Sequence, residues 1–144
     1  MNPDENTDPL VSLVAKAMKD KFLGKYALTY KMENIIPILY KGKTVGFAVP
    51  FREDDGYWRT GSIYLDPVYR RKGIAHHWIS EFLEGKPGRA WINPENTASI
   101  AAYTAAGLTR SGRRMKSKQT GNWFDEYLTE EAGMESNSPR VLFW

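Results

Sequence analysis

The stretch Arg70-Arg71-Lys72-Gly73-Ile74-Ala75 carries the residue types of an anion site. A β-rich run, Trp58 to Leu65, precedes it and breaks at Asp66-Pro67. A run with helical spacing follows, with Ile74, Trp78, Ile79 and Phe82 available as its buried face. The first N–H groups of such a helix have no partner within it, and the helix dipole adds partial positive charge there. Gly73 lets a phosphate come close to the backbone, and Arg70, Arg71 and Lys72 add charge. The same residues also fit a strand-to-helix turn whose basic side chains face only water, so the loop alone leaves both readings open.

A second segment, Asn96 to Leu108, places an asparagine at a helix start, Tyr103 within the helix and Gly107 just past its end. By itself this is a capped helix with a tyrosine packed on a sheet. His76 and His77 are adjacent, and adjacent helical residues diverge by about 100°, so a metal pair is not expected. Trp58 and Trp123 lie on predicted strands and read as core or edge fillers, or as walls of an acceptor cleft. Between Glu95 and Asp125 there is no acid, while Arg110, Arg113, Arg114, Lys116 and Lys118 fall inside. That basic run reads as a solvated hairpin, or as an acceptor-binding edge for an acidic protein or a nucleic acid.

Taken together and in order, the two segments resemble the GNAT (Gcn5-related N-acetyltransferase) superfamily. Arg70 to Ala75 is similar to its CoA-binding motif, Arg/Gln-x-x-Gly-x-Gly/Ala, with Pro67 and Tyr69 matching the proline and aromatic that often precede it. Asn96, Tyr103 and Gly107 match the spacing of the late motif. The resemblance covers about residues 36–128 and is strong only over 62–108. It implies a mixed, mostly antiparallel sheet flanked by helices and an acetyltransferase using acetyl-CoA as acyl donor. Amides from Arg71 to Ala75 would hold the CoA pyrophosphate. The strand end around Tyr64 and Leu65 would pair with the pantetheine arm, and Asn96 would lie near it. Tyr103 would protonate the departing thiolate, a phenol being of roughly similar basicity.

Two departures bear on this. The helix near the N-terminus comes almost at once, so the family's first strand is missing or moved to about residues 26–31. The strand before the CoA loop carries no acid, although some members have a glutamate there. Asp54, Asp55 and Asp66 flank it, with Asp66 the candidate catalytic carboxylate, and a water relay is the alternative. A primary amine with a pKa of about 10.4 must lose a proton before it attacks. Trp58, Arg113 and Trp123 are the candidate substrate contacts. A nucleic-acid-modifying enzyme of the same fold, acting on a DNA base or an aminoacyl-tRNA, and a non-catalytic CoA-fold module are the rival readings.

The elements that must position these residues follow from periodicity. Asp8-Pro9 opens a helix predicted over 9–22, which Gly24 would end. Strands are predicted over 35–40, 44–51 and 58–65 as an antiparallel meander, with Pro37 favouring an edge. A helix over 73–83, a strand over 90–92, a helix over 96–106 and a hairpin over 108–128 follow. The order gives an α/β or α+β fold. Residues 1–8 read as a flexible arm, 9–131 as the domain and 132–144 as a tail whose apolar end, Val141 to Trp144, docks on its own domain or in a homodimer.

Composition sets the outer bounds. The chain has 144 residues, 42% apolar and 26% charged, enough for one domain with a real core. It has no cysteine, which excludes disulfides, a thiol nucleophile and cysteine-bound zinc. No apolar run approaches the roughly 20 residues of a membrane span. The polar, acidic start does not resemble a secretory signal, so a cytoplasmic location is the expectation. A net charge of +3 is too mild to argue for nucleic acid.

Overall fold

The computed structural model describes residues 8–20, 31–118, 120–133 and 141–143. They divide into two units, Met1–Pro50 with Gly61–Ala75 and Phe51–Thr60 with His76–Trp144.

In the first unit, helix α1 spans Pro9–Ala17. Asp8 caps it, its carboxylate accepting from the Leu10 amide at 2.9 Å, and Pro9 takes the first helical position. Leu13 and Ala17, four residues apart, present one buried face. The helix ends earlier than its apolar spacing suggests. The predicted stop at Gly24 lies outside the described residues, as does nearly all of the alternative first strand at 26–31.

Strands β1 (Ile36–Tyr40) and β2 (Lys43–Ala48) pair antiparallel across Lys41-Gly42, both with positive φ (51° and 77°), as a type I′ hairpin requires. Strand β5 (Ile63–Leu65) joins the other side of β2, giving the order β1-β2-β5. Among the described residues β1, which carries Pro37, is an edge strand. Leu13, Ala17, Ile35, Phe47 and Tyr64 form the core, each large apolar side chain contributing about 1.5–3 kcal/mol.

The second and third predicted strands are each broken. Residues 44–51 give β2 and then β3 (Phe51–Arg52), with Pro50, which has no N–H to donate, between them. Residues 58–65 give β4 (Trp58–Arg59) and β5, interrupted at Gly61. Gly61 has φ +67°, and a Cβ there would meet the Val49 carbonyl oxygen at 1.8 Å. Only glycine fits, and no strand continues through it.

In the second unit, β3 and β4 form a hairpin about Asp54-Asp55-Gly56, closed by Glu53 N–H to the Tyr57 carbonyl at 2.8 Å. Helix α2 (Ile74–Leu83) begins in the first unit and continues into the second. Strand β6 (Arg89–Ile92), helix α3 (Thr97–Ala105), strands β7 (Thr109–Lys116) and β8 (Trp123–Leu128) and the short helix α4 (Glu130–Gly133) follow. The sheet order is β6-β8-β7-β9, antiparallel except that β9 (Val141–Phe143) runs parallel to β7 beside Arg114–Lys116. The apolar end of the chain thus docks as a strand on its own sheet. Among the described residues no helix is long and apolar enough to cross a membrane.

Candidate active site

The turn between β5 and α2 is built by local chemistry. Asp66 opens a 3-10 turn over Pro67–Tyr69, its carboxylate near the Val68 amide (3.5 Å) and its carbonyl accepting from Tyr69 at 2.8 Å. Arg70 is extended, Arg71 takes φ +63° and Gly73 φ +79°. A left-handed arginine costs about 1–2 kcal/mol, so the turn is held against its preference. Turns with positive-φ residues can point successive amides the same way. Among the described residues, the amides of Arg71, Lys72, Gly73, Ile74 and Ala75 bond no acceptor. They stand at the N-terminal end of the ten-residue helix α2.

Not every basic side chain of the turn faces outward. Arg70 Nε donates to the Leu65 carbonyl at 3.0 Å, and its guanidinium lies 3.8 Å from Asp20 and over the Tyr64 ring. It braces the turn. Arg71 and Lys72 are exposed. Lys16 Nζ lies 3.1 Å from Asp66, and this hydrogen bond, with smaller help from the Val68 amide, holds the Asp66 carboxyl below the usual range against a partial cost of burial.

The end of β5 has its own polarity. Val49 N–H donates to Ser62 O at 3.0 Å and Asp66 N–H to Val45 O at 2.9 Å. By the alternation of an antiparallel ladder, Tyr64 also turns its backbone to β2, whereas Ile63 and Leu65 turn theirs to the other edge, which pairs with no strand among the described residues. The Tyr64 side chain is buried against Phe47, ring centroids 5.8 Å apart.

In the second unit, Asn96 caps α3, its Oδ1 accepting from Ser99 N–H at 3.2 Å. Tyr103 is 8% exposed and shares a hydrogen bond with the Thr60 hydroxyl. Burial pushes its phenol up, while the Thr60 hydrogen bond and the Arg59 charge pull it back. Arg59 lies 3.7 Å from Glu53.

Arg113 belongs to a buried ionic lattice. Glu126, fully buried in β8, accepts from Arg89 Nε (2.9 Å), Arg113 Nη1 (3.0 Å) and Ser111 Oγ (2.7 Å). Arg89 also reaches Glu53 and Asp55, each at 3.1 Å. Arg114 pairs with Asp125 at 3.0 Å and covers the Trp123 ring, which Lys116 also approaches. Trp58 meets Phe82 edge-to-face and carries Arg52 and Lys86 near its ring. Arg110 and Lys118 are exposed. His77 is exposed and pairs with Glu81 one turn on, at 3.0 Å. Among the described residues no acidic or histidine cluster suits a metal ion.

Sequence reasoning missed Thr60, Arg59, Glu53, Arg89 and Glu126. A signal existed for one of them: Glu126 lies with Asp125 among the apolar and aromatic residues of a predicted strand, and charges so placed are seldom buried unpaired.

The fold is mixed α/β, with a row of amides that bond no acceptor among the described residues at one helix start and, separately, a buried phenol on a capped helix. Residues 6–108 match the family model described as acetyltransferase (GNAT) family. The chain belongs to that family of acetyltransferases. No curated protein matches it in sequence. Among solved structures it is similar to Naa20 of Chaetomium thermophilum, in complex with a bisubstrate analogue, at 14% identity and TM-score 0.65, covering 92% of each chain. It is similar to AAC(6')-Ib in complex with paromomycin and acetyl-CoA at 13% identity and TM-score 0.62, covering 90% of this chain and 92% of the other. A GNAT-family acetyltransferase from Bacillus anthracis matches at 20% identity and TM-score 0.58, over 83% and 84% of the two chains. At these identities the likeness is one of fold.

Proposed function

We propose that this protein transfers an acetyl group from acetyl-CoA to an amine by direct attack. The observation that carries this reading is the row of amides from Arg71 to Ala75, which bond no acceptor among the described residues and would cradle a diphosphate. Similar folds solved with acetyl-CoA and with a bisubstrate analogue support it.

The donor supplies an activated acyl thioester when bound. Amides of Arg71 to Ala75 hold its diphosphate, with Arg71 and Lys72 adding charge. The open edge of β5, Ile63 and Leu65 rather than Tyr64, pairs with the pantetheine amides. Ile63, farther from the cradle, has the edge N–H to polarise the thioester carbonyl at the other end of the pantetheine, while the Leu65 carbonyl is taken by Arg70. Tyr103, kept neutral by burial, supplies the proton at its hydroxyl oxygen to the departing sulfur. Asp66, held low by Lys16, is a weak base, and we assign it to shaping the turn. The amine loses its proton to solvent, and positioning supplies the remaining catalysis. Asn96 caps the helix that carries Tyr103 and so fixes its phase.

The test is incubation with acetyl-CoA and a panel of acceptors: a peptide with a free α-amine, a lysine peptide, an aminoglycoside and aminoacyl-tRNA, read by mass spectrometry. Gly73→Glu puts bulk and negative charge at the cradle and should abolish CoA binding in calorimetry. Undiminished binding by a folded Gly73→Glu protein would overturn the assignment. Modification of aminoacyl-tRNA alone would favour the nucleic-acid rival, and no product with any arm, despite CoA binding, would favour a binding module.

A further inference from the structure

Thr60 lies just after β4 and is 2% exposed, although it is a polar residue beside the strand interruption at Gly61. Its hydroxyl and that of Tyr103 are hydrogen-bonded in a buried setting. A threonine hydroxyl can donate or accept, and so can a phenol. When Tyr103 donates outward to a sulfur, however, its oxygen can only accept from Thr60. The bond then strengthens as negative charge grows on the phenol oxygen. Arg59, the preceding residue, is mostly buried, with 18% of its side chain exposed, and its charge acts on the same phenol. Glu53 from the β3–β4 hairpin stands 3.7 Å behind Arg59 and is itself tied to Arg89 of β6, which anchors the pair to the buried lattice.

We propose that Thr60 and Arg59 are positioning residues for the Tyr103 proton, taking up the negative charge its oxygen acquires on protonating the departing thiolate. This rests on the acetyl-transfer reading above. In that step the amine nitrogen bonds to the acetyl carbon and the C–S bond breaks with its electron pair on sulfur. Sulfur takes the Tyr103 proton, and the proton lost by nitrogen returns to the phenolate through solvent. Burial alone would keep the phenol protonated but leave its anion without support. Thr60 and Arg59 supply that support in place, without reorganisation at the moment of reaction.

A purely structural Thr60 would merely satisfy a buried hydroxyl. The experiment labels the protein with 3-fluorotyrosine, whose phenol titrates lower than tyrosine's, and follows fluorine resonances with pH, Tyr103 being assigned by its loss in Tyr103→Phe. In Thr60→Val and in Arg59→Met the Tyr103 midpoint should move to higher pH, and Thr60→Ser should restore it. With acetyl-CoA and the amine that turns over in the panel, Thr60→Val should lower kcat about ten-fold or more, as loss of one charge-stabilising donor does, with KM for acetyl-CoA within about two-fold. An unmoved midpoint in both variants overturns the inference. Wild-type kcat in Thr60→Val while Tyr103→Phe is dead also overturns it, yet leaves the acetyl-transfer reading standing. Full activity in Tyr103→Phe removes Tyr103 from that reading as well.

Discussion

Two arginine-rich regions of this molecule look alike in composition and behave in opposite ways. In the turn from Arg70 to Ala75, Arg70 is spent on the protein itself, while the following amides bond no acceptor among the described residues. In the run from Arg110 to Lys118, which has no acid of its own, Arg113 and Arg114 are matched by Glu126 and Asp125 from the next strand. The longer run of positive charge is the more neutralised. Clustered bases mark a binding surface only where no acid is folded back onto them, and backbone geometry can matter more than side-chain charge.

The sharpest break of the comparison is at the buried end. Glu126→Ala leaves the Arg89 and Arg113 guanidiniums short of their shared carboxylate, and should cost about 3–5 kcal/mol. Urea unfolding read by far-ultraviolet circular dichroism measures this. A loss below about 1 kcal/mol would mean the lattice is solvated.

At the turn, Arg71→Gly should do the reverse. It relieves a left-handed arginine and should change stability by about 1 kcal/mol or less in either direction, because glycine also loosens the unfolded chain. If the amides carry the diphosphate, the Kd for CoA should weaken by no more than about ten-fold, the share of one exposed charge. A larger loss in calorimetry would shift the weight to the side chain.

The smallest effect concerns Asp66. Its carboxyl is lowered in the folded protein, chiefly by Lys16, so it contributes stability above the unfolded value of about 4. That contribution is lost as pH falls through the lower folded value. Lys16→Met should flatten this acid limb of stability, by less than about 1 kcal/mol because the pair is exposed. Thermal unfolding between pH 7 and about 3 reads it. An unchanged limb would leave Asp66 free of its brace and available again as a base.

Much of this was legible in the residue order. The caps at Asp8 and Asn96 and the turns at Lys41-Gly42 and Asp54-Asp55-Gly56 depend on local geometry, which neighbouring residues specify. So does the positive φ of Gly73. The broken strand at Gly61 was not legible, because the obstacle is the Val49 carbonyl, contributed by a different stretch of chain.

The sequence by itself therefore determined the caps, the tight turns and the family, since capping, φ preferences and motif spacing act over a few residues. Tertiary structure alone decided which charges are spent and which remain. Arg113 found Glu126, Asp66 found Lys16 and Tyr103 found Thr60 across separations of 13, 50 and 43 residues. Pairing of that kind is governed by burial and distance in space, and neither is written in local spacing.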